Sequence, residues 1–136
     1  MTLVSKFYSI DQCKKNFTDL FVFGDNLERQ GTGGQAVIRE QPNAIGIATK
    51  KKPSMAEDAF FLDSEYEENC RLIDEDIERV KAYMIEHSYK DIVFPFNGIG
   101  TGLAAMQTRC PKTFCYLTMR LVDEWKFNNI AGLKST

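Results

Sequence analysis

Residues 91–106 read DIVFPFNGIGTGLAAM. After one acid comes an unbroken apolar run, the pattern of a strand covered on both faces in a parallel sheet. The chain then sheds its side chains: Asn97-Gly98-Ile99-Gly100-Thr101-Gly102 holds three glycines within five residues. A loop this bare is either a turn with unusual backbone angles or a place where backbone must approach a ligand closely. A second bare stretch, GDNLERQGTGGQA at 24–36, also leaves an apolar run, DLFVFGDN at 19–26.

Working outward, NAIGIATK at 43–50 reads as another strand, and LVSKFYSI at 3–10 as a strand at the sheet edge. GQAVIRE at 34–40 suits a short helix stopped by Pro42, and KPSMAED at 52–58 a loop with Ser54 as a cap. From Ser64 to Glu86 the period lengthens: Tyr66, Leu72, Ile73, Ile77, Val80, Tyr83 and Met84 recur at three- and four-residue spacing, with acids between them. Pro111 suits the first turn of a last helix, along which Phe114, Leu117, Leu121, Val122 and Trp125 form an apolar stripe. Strands alternating with helices predict an α/β fold, a three-layer sandwich around a mostly parallel sheet. Ligands of such sheets sit at the carboxyl ends of the strands. Both bare loops leave strands at that end and are expected to form opposite walls of one cleft.

The 136 residues suit a single domain, 1–136, large enough to bury roughly two thirds of its unfolded surface. A net charge of −2 offers no footprint for non-specific binding to nucleic acid or to an anionic membrane. No apolar run is long enough to span a bilayer, and the start lacks the build of a signal peptide. Four cysteines without a CxxC pair and one histidine, His87, imply no metal site, and a cytoplasmic location with reduced thiols is expected. Cys110 and Cys115 read as packing residues, as do Trp125, Phe94, Phe96 and Met106, while His87 reads as a cation at a helix end.

Gly31, Gly33 and Gly34 precede a predicted helix start, where backbone N–H groups can hold a phosphate. Their spacing matches neither GxGxxG nor the P-loop, so a plain turn stands beside the anion-binding reading. NGIGTG offers consecutive N–H groups for an anion-binding concavity, with the Thr101 hydroxyl as a further donor. Two such loops in one small domain point to a ligand containing a diphosphate.

In this order, LFVFGDNLERQGTGGQAVIRE, GIATKKKPS with the acidic helix after it, and IVFPFNGIGTGLAAM resemble the macrodomains, over roughly residues 8 to 127. That family binds ADP-ribose. The middle segment is similar to its lysine-dependent branch, which includes glutamate-specific ADP-ribosyl glycohydrolases and antitoxins that remove ADP-ribose from DNA. The resemblance implies that Asn26 lies near the distal ribose, with Asp25 beside it, and that Gly33, Gly34 and Gln35 belong to the first binding loop. Asn97, Gly98, Ile99, Gly100, Thr101, Gly102 and Leu103 match the diphosphate loop, and Asp11 the acid that contacts the adenine amino group. Lys50 matches the lysine that attacks the anomeric carbon. Such an amine must be unprotonated, a state expected to be favoured by Lys51, Lys52 or partial burial.

One feature departs from the glutamate-specific enzymes, in which an aspartate follows the loop's leucine. Here Leu103 is followed by Ala104 and Ala105, with no acid until Asp123. Three functions therefore stand. The chain is a glycohydrolase acting on ADP-ribosylated DNA or protein, a non-catalytic binder of ADP-ribose or a related nucleotide signal, or an interaction protein whose glycine loops are only turns. Its expected partners are ADP-ribose, the modified macromolecule and, through it, nucleic acid; no cofactor or membrane is implied.

Overall fold

The computed structural model describes residues 1–134. Four strands, β1 (Thr2–Ser5), β2 (Asp19–Asn26), β3 (Ala44–Lys50) and β4 (Asp91–Pro95), form one sheet in the order β1-β4-β2-β3. All three pairings are parallel. The helices are α1 (Ile10–Lys15), α2 (Tyr66–Glu86), α3 (Met106–Arg109), α4 (Pro111–Trp125) and α5 (Ala131–Lys134).

Strand alternation divides the core into two. Leu20, Val22, Ile45, Ile47, Ile92 and Phe94 face one way and pack with Ile73, Ile77 and Val80 of α2 and Leu117 and Leu121 of α4. Phe21, Phe23 and Val93 face the other way, onto Cys13 of α1 and onto Ile38. Helices on both faces make this the three-layer α/β sandwich expected from the sequence. Each fully buried Leu, Ile or Phe contributes roughly 1.5–3 kcal/mol through its removal from water. Phe94 stacks on Phe127 at 4.7 Å and meets Trp125 at 5.5 Å between ring centroids. Phe94 is core, and Phe96 is only half-buried.

Two local expectations are corrected. The first strand is not 3–10 but ends at Ser5, because Ser9 caps α1 by accepting from the Gln12 N–H. Tyr8 is thereby turned inward, its hydroxyl 2.7 Å from the Val22 carbonyl and 3.0 Å from that of Val93. Residues 34–40 form the expected short helix, of 3₁₀ type, over Gly34–Ile38. Positive φ at Gly34, β-branched Val37 and Ile38, and Pro42 beyond them leave no room for a full α-turn. Cys110 is buried packing as expected, but Cys115 lies exposed on α4.

Pro111 does occupy the first turn of α4, and Asp63 accepts the N–H groups of Lys112 and Thr113 there. His87 follows α2 with its ring against Tyr83 and Tyr89. Among the described residues no helix is long and apolar enough to cross a membrane.

Candidate functional site

β2 and β3 end side by side, so the chain segments leaving them open on the same rim of the sheet. The segment after β4 curls over that rim, and together they enclose a cleft of about 390 Å³, within the range of roughly 300–1,000 Å³ usual for small-molecule sites. The cleft brings together Asp25, Asn26, Gly33, Gly34, Gln35, Lys50, Asn97, Gly100, Thr101, Gly102 and Leu103. Gly98 and Ile99 lie beneath it, buried. Asp11 stands in the first turn of α1, exposed, and does not line the cleft. A larger hollow of about 810 Å³ opens at the β1 edge, beside Phe96, Trp125 and Phe127. It contains neither glycine loop, and the polar groups that converge on the cleft are absent from its walls.

The glycines of the second loop divide by physical role. Gly98 and Gly100 have φ of +90° and +85°, and a Cβ at either would collide, with the Asn129 carbonyl and the Met106 sulfur respectively. The fold itself requires glycine at both. Gly102 in this loop and Gly33 in the first have ordinary φ, and a Cβ at either would meet nothing within 4 Å. What glycine provides at these two positions is open space at the cleft.

The second loop is rooted firmly. Ile99 and Met106 are fully buried in the larger core cluster. Asn129, itself buried, accepts from the Ile99 N–H at 2.7 Å and donates to the Ile99 carbonyl at 2.9 Å. The Thr101 hydroxyl, expected to face an anion, donates to the Asn97 carbonyl at 2.6 Å. Among the described residues the backbone N–H groups of Gly33, Gly34 and Gln35, and of Gly100 through Ala104, have no partner within the chain. Two runs of free donors therefore border one cleft.

The first loop is held by ions. Arg39 grips Asp25 through two hydrogen bonds, at 2.6 and 3.0 Å, and its guanidinium also donates to the Gly31 and Gln30 carbonyls. Arg29 lies 3.6 Å from Asp25 and 2.6 Å from Asp76, whose other oxygen accepts the Ala48 N–H at 2.7 Å. The amide of Asn26 donates to Gln30 and closes the loop on itself. Asp25 thus serves the loop's architecture. Neither Arg39, Asp76 nor Asn129 was legible as a site residue, because each acts through a partner distant in sequence.

Lys50 ends β3 with 8% of its surface exposed. Its amine donates to the Ser54 carbonyl at 2.7 Å and sits 4.6 Å from the centre of the Phe60 ring. Burial, and after it the Arg109 guanidinium, push the amine below the ordinary lysine pKa. Of the expected sources, burial acts and the adjacent lysines do not. Lys51 pairs with Glu65 and Lys52 with Asp58, so the neighbouring lysines turn to acids on the surface. Among the described residues no group of three or more His, Cys, Asp and Glu side chains is placed to hold a metal ion.

A family model described as a family of unknown function (DUF7831) matches residues 3–120. The chain belongs to this family. The matched range of this DUF7831 member includes both loops, Arg39 and Lys50, and stops before Asn129. No curated protein and no solved structure matches the chain.

Proposed function

We propose that the chain binds ADP-ribose in the cleft between its two glycine loops and removes it from a modified macromolecule, with Lys50 as nucleophile. The observation that carries this reading is the placement of the Lys50 amine. Lys50 is buried and lines the same cleft as both loops, and its amine is tied to a carbonyl rather than to a carboxylate. The free N–H groups of the two loops suit a diphosphate, in keeping with the resemblance to macrodomains.

In the proposed step the Lys50 lone pair forms a bond to the anomeric carbon of the distal ribose. The bond from that carbon to the acceptor breaks, and the acceptor leaves with the electron pair and takes up a proton. The adduct then opens to an imine as the bond from that carbon to the ring oxygen breaks and the oxygen takes up the proton lost from the nitrogen. Water hydrolyses the imine and restores the amine. Only an unprotonated amine has the lone pair, so the lowered pKa enlarges the reactive fraction. The acceptor is DNA or protein, and a cytoplasmic setting, where the thiols stay reduced, belongs to the same proposal.

A second reading, binding without turnover, is favoured by the acids. Among the described residues Asp25 is the one carboxylate lining the cleft, and Arg39 holds both its oxygens. No free acid is left to move a proton.

A thermal-shift titration with ADP-ribose on wild type and Lys50→Ala tests both, because a ligand bound only by the folded state raises its melting temperature. Binding is expected in both proteins. Borohydride trapping of an ADP-ribose adduct on Lys50, with release of ADP-ribose from modified DNA or protein by wild type alone, supports the hydrolase. Binding with neither supports the binder. No shift at millimolar ligand removes both readings.

A further inference from the structure

Phe60 has two cations on it. The Arg109 guanidinium carbon lies 3.5 Å from the ring centre and the Lys50 amine 4.6 Å. Phe60 is almost fully buried, and its backbone bridges to that of Lys50, so the ring is fixed relative to the amine. The negative face of an aromatic ring attracts a cation, and the close contact holds the Arg109 guanidinium in place. Arg109 closes α3, a short helix whose first residue is core. Its nearest acid is Glu57 at 3.7 Å, a side chain 91% exposed and so well screened by water.

The charges that face Lys50 from other directions are already matched. Asp25 on β2 is held by Arg39 and Arg29, and on the segment after β3 Lys51 pairs with Glu65 and Lys52 with Asp58. Residues 97–105 carry no titratable side chain. Arg109 is left as the charge against the amine without a close, buried counter-ion.

We propose that Arg109, stacked on Phe60, is a positioning residue for Lys50, holding a fixed positive charge beside the amine that makes it easier to deprotonate for attack. The assignment rests on the reading of Lys50 as nucleophile. Burial is the larger influence on Lys50, and Arg109 adds to it in the same direction.

The test needs no ligand. The full chain is labelled with trace acetic anhydride from neutral to strongly alkaline pH, and acetylation of each lysine is read by mass spectrometry. Exposed Lys6 and Lys14 serve as internal standards. Arg109→Gln and Arg109→Met are expected to move the Lys50 profile to higher pH and to cut its labelling at pH 8 about threefold. Arg109→Lys, which keeps a cation, holds the profile near that of wild type. Arg109→Met retains an apolar stem over Phe60 and serves if Arg109→Gln does not fold. Superimposable Lys50 profiles in wild type and Arg109→Met overturn the proposal, as does an Arg109→Lys profile displaced as far as that of Arg109→Met. A failure to bind ADP-ribose would remove the proposed function and leave this readout intact.

Discussion

The side-chain amide of Gln35 donates to the carbonyl of Gly98 at 2.9 Å across 63 positions of sequence. Its oxygen accepts the Gly24 N–H, also at 2.9 Å. One side chain therefore ties the 3₁₀ helix, the end of β2 and the second glycine loop together, and it sets the spacing of the cleft walls. A leucine of similar size would leave a donor and an acceptor without partners. Gln35→Leu is expected to lose about 1–3 kcal/mol in chemical denaturation. It is also expected to weaken ADP-ribose binding more than its stability loss would suggest, because the walls lose their register. Unchanged stability would show that water replaces both bonds.

Gly100 and Gly102, two residues apart, are expected to respond in opposite ways to alanine. Gly100→Ala places a Cβ at a φ of +85° and against the Met106 sulfur, and should lower the melting temperature by several degrees. Gly102→Ala meets nothing within 4 Å and should melt close to wild type. If the cleft holds a ligand, Gly102→Ala narrows its mouth and loses the ADP-ribose thermal shift. Full binding by Gly102→Ala would show that this part of the loop does not approach the ligand.

Lys50 should lower stability at neutral pH. Its pKa is pushed below the ordinary lysine value of 10.5 by burial and then by Arg109. At a pH below the folded value both states carry the proton, and the native state does so at a cost. That cost fades as pH rises from the folded value towards 10.5, where the unfolded chain also gives up its proton. Lys50→Met should therefore melt above wild type at neutral pH, with the margin shrinking through the alkaline range. A constant margin across pH would mean that the amine titrates alike in both states.

Arg39 holds a buried carboxylate, and its removal leaves Asp25 with the Asn26 N–H and the longer contact to Arg29. Arg39→Met is expected to cost about 3 kcal/mol and to loosen residues 29–34, which hydrogen exchange would detect. Adding Asp25→Asn should restore part of the loss, since the two residues act as one unit. Strict additivity in the cycle would place the role of Arg39 in its bonds to Gly31 and Gln30 instead.

Much of the fold was legible in local pattern. The runs at 19–26, 43–50 and 91–96 became β2, β3 and β4 almost residue for residue, because an apolar stretch without alternation has few places to go other than a doubly covered strand. The spacing of apolar residues from Tyr66 to Met84 became α2 for the same kind of reason. The stretch at 3–10 misled, since Tyr8 has the composition of a strand residue but is drawn inward by carbonyls of β2 and β4.

The sequence by itself determined the layers of this protein, the two bare loops and the strand that delivers Lys50, since each depends on neighbours a few residues apart. Only the tertiary structure decided which glycines the fold requires and which leave space, that Asp25 belongs to Arg39, and that Asn129 anchors the second loop. It also decided that Arg109, rather than the adjacent lysines, bears on Lys50. The physical reason is distance. Hydrogen bonds, ion pairs and steric collisions act over a few ångströms in space, and the chain brings those partners together only after the sheet has assembled.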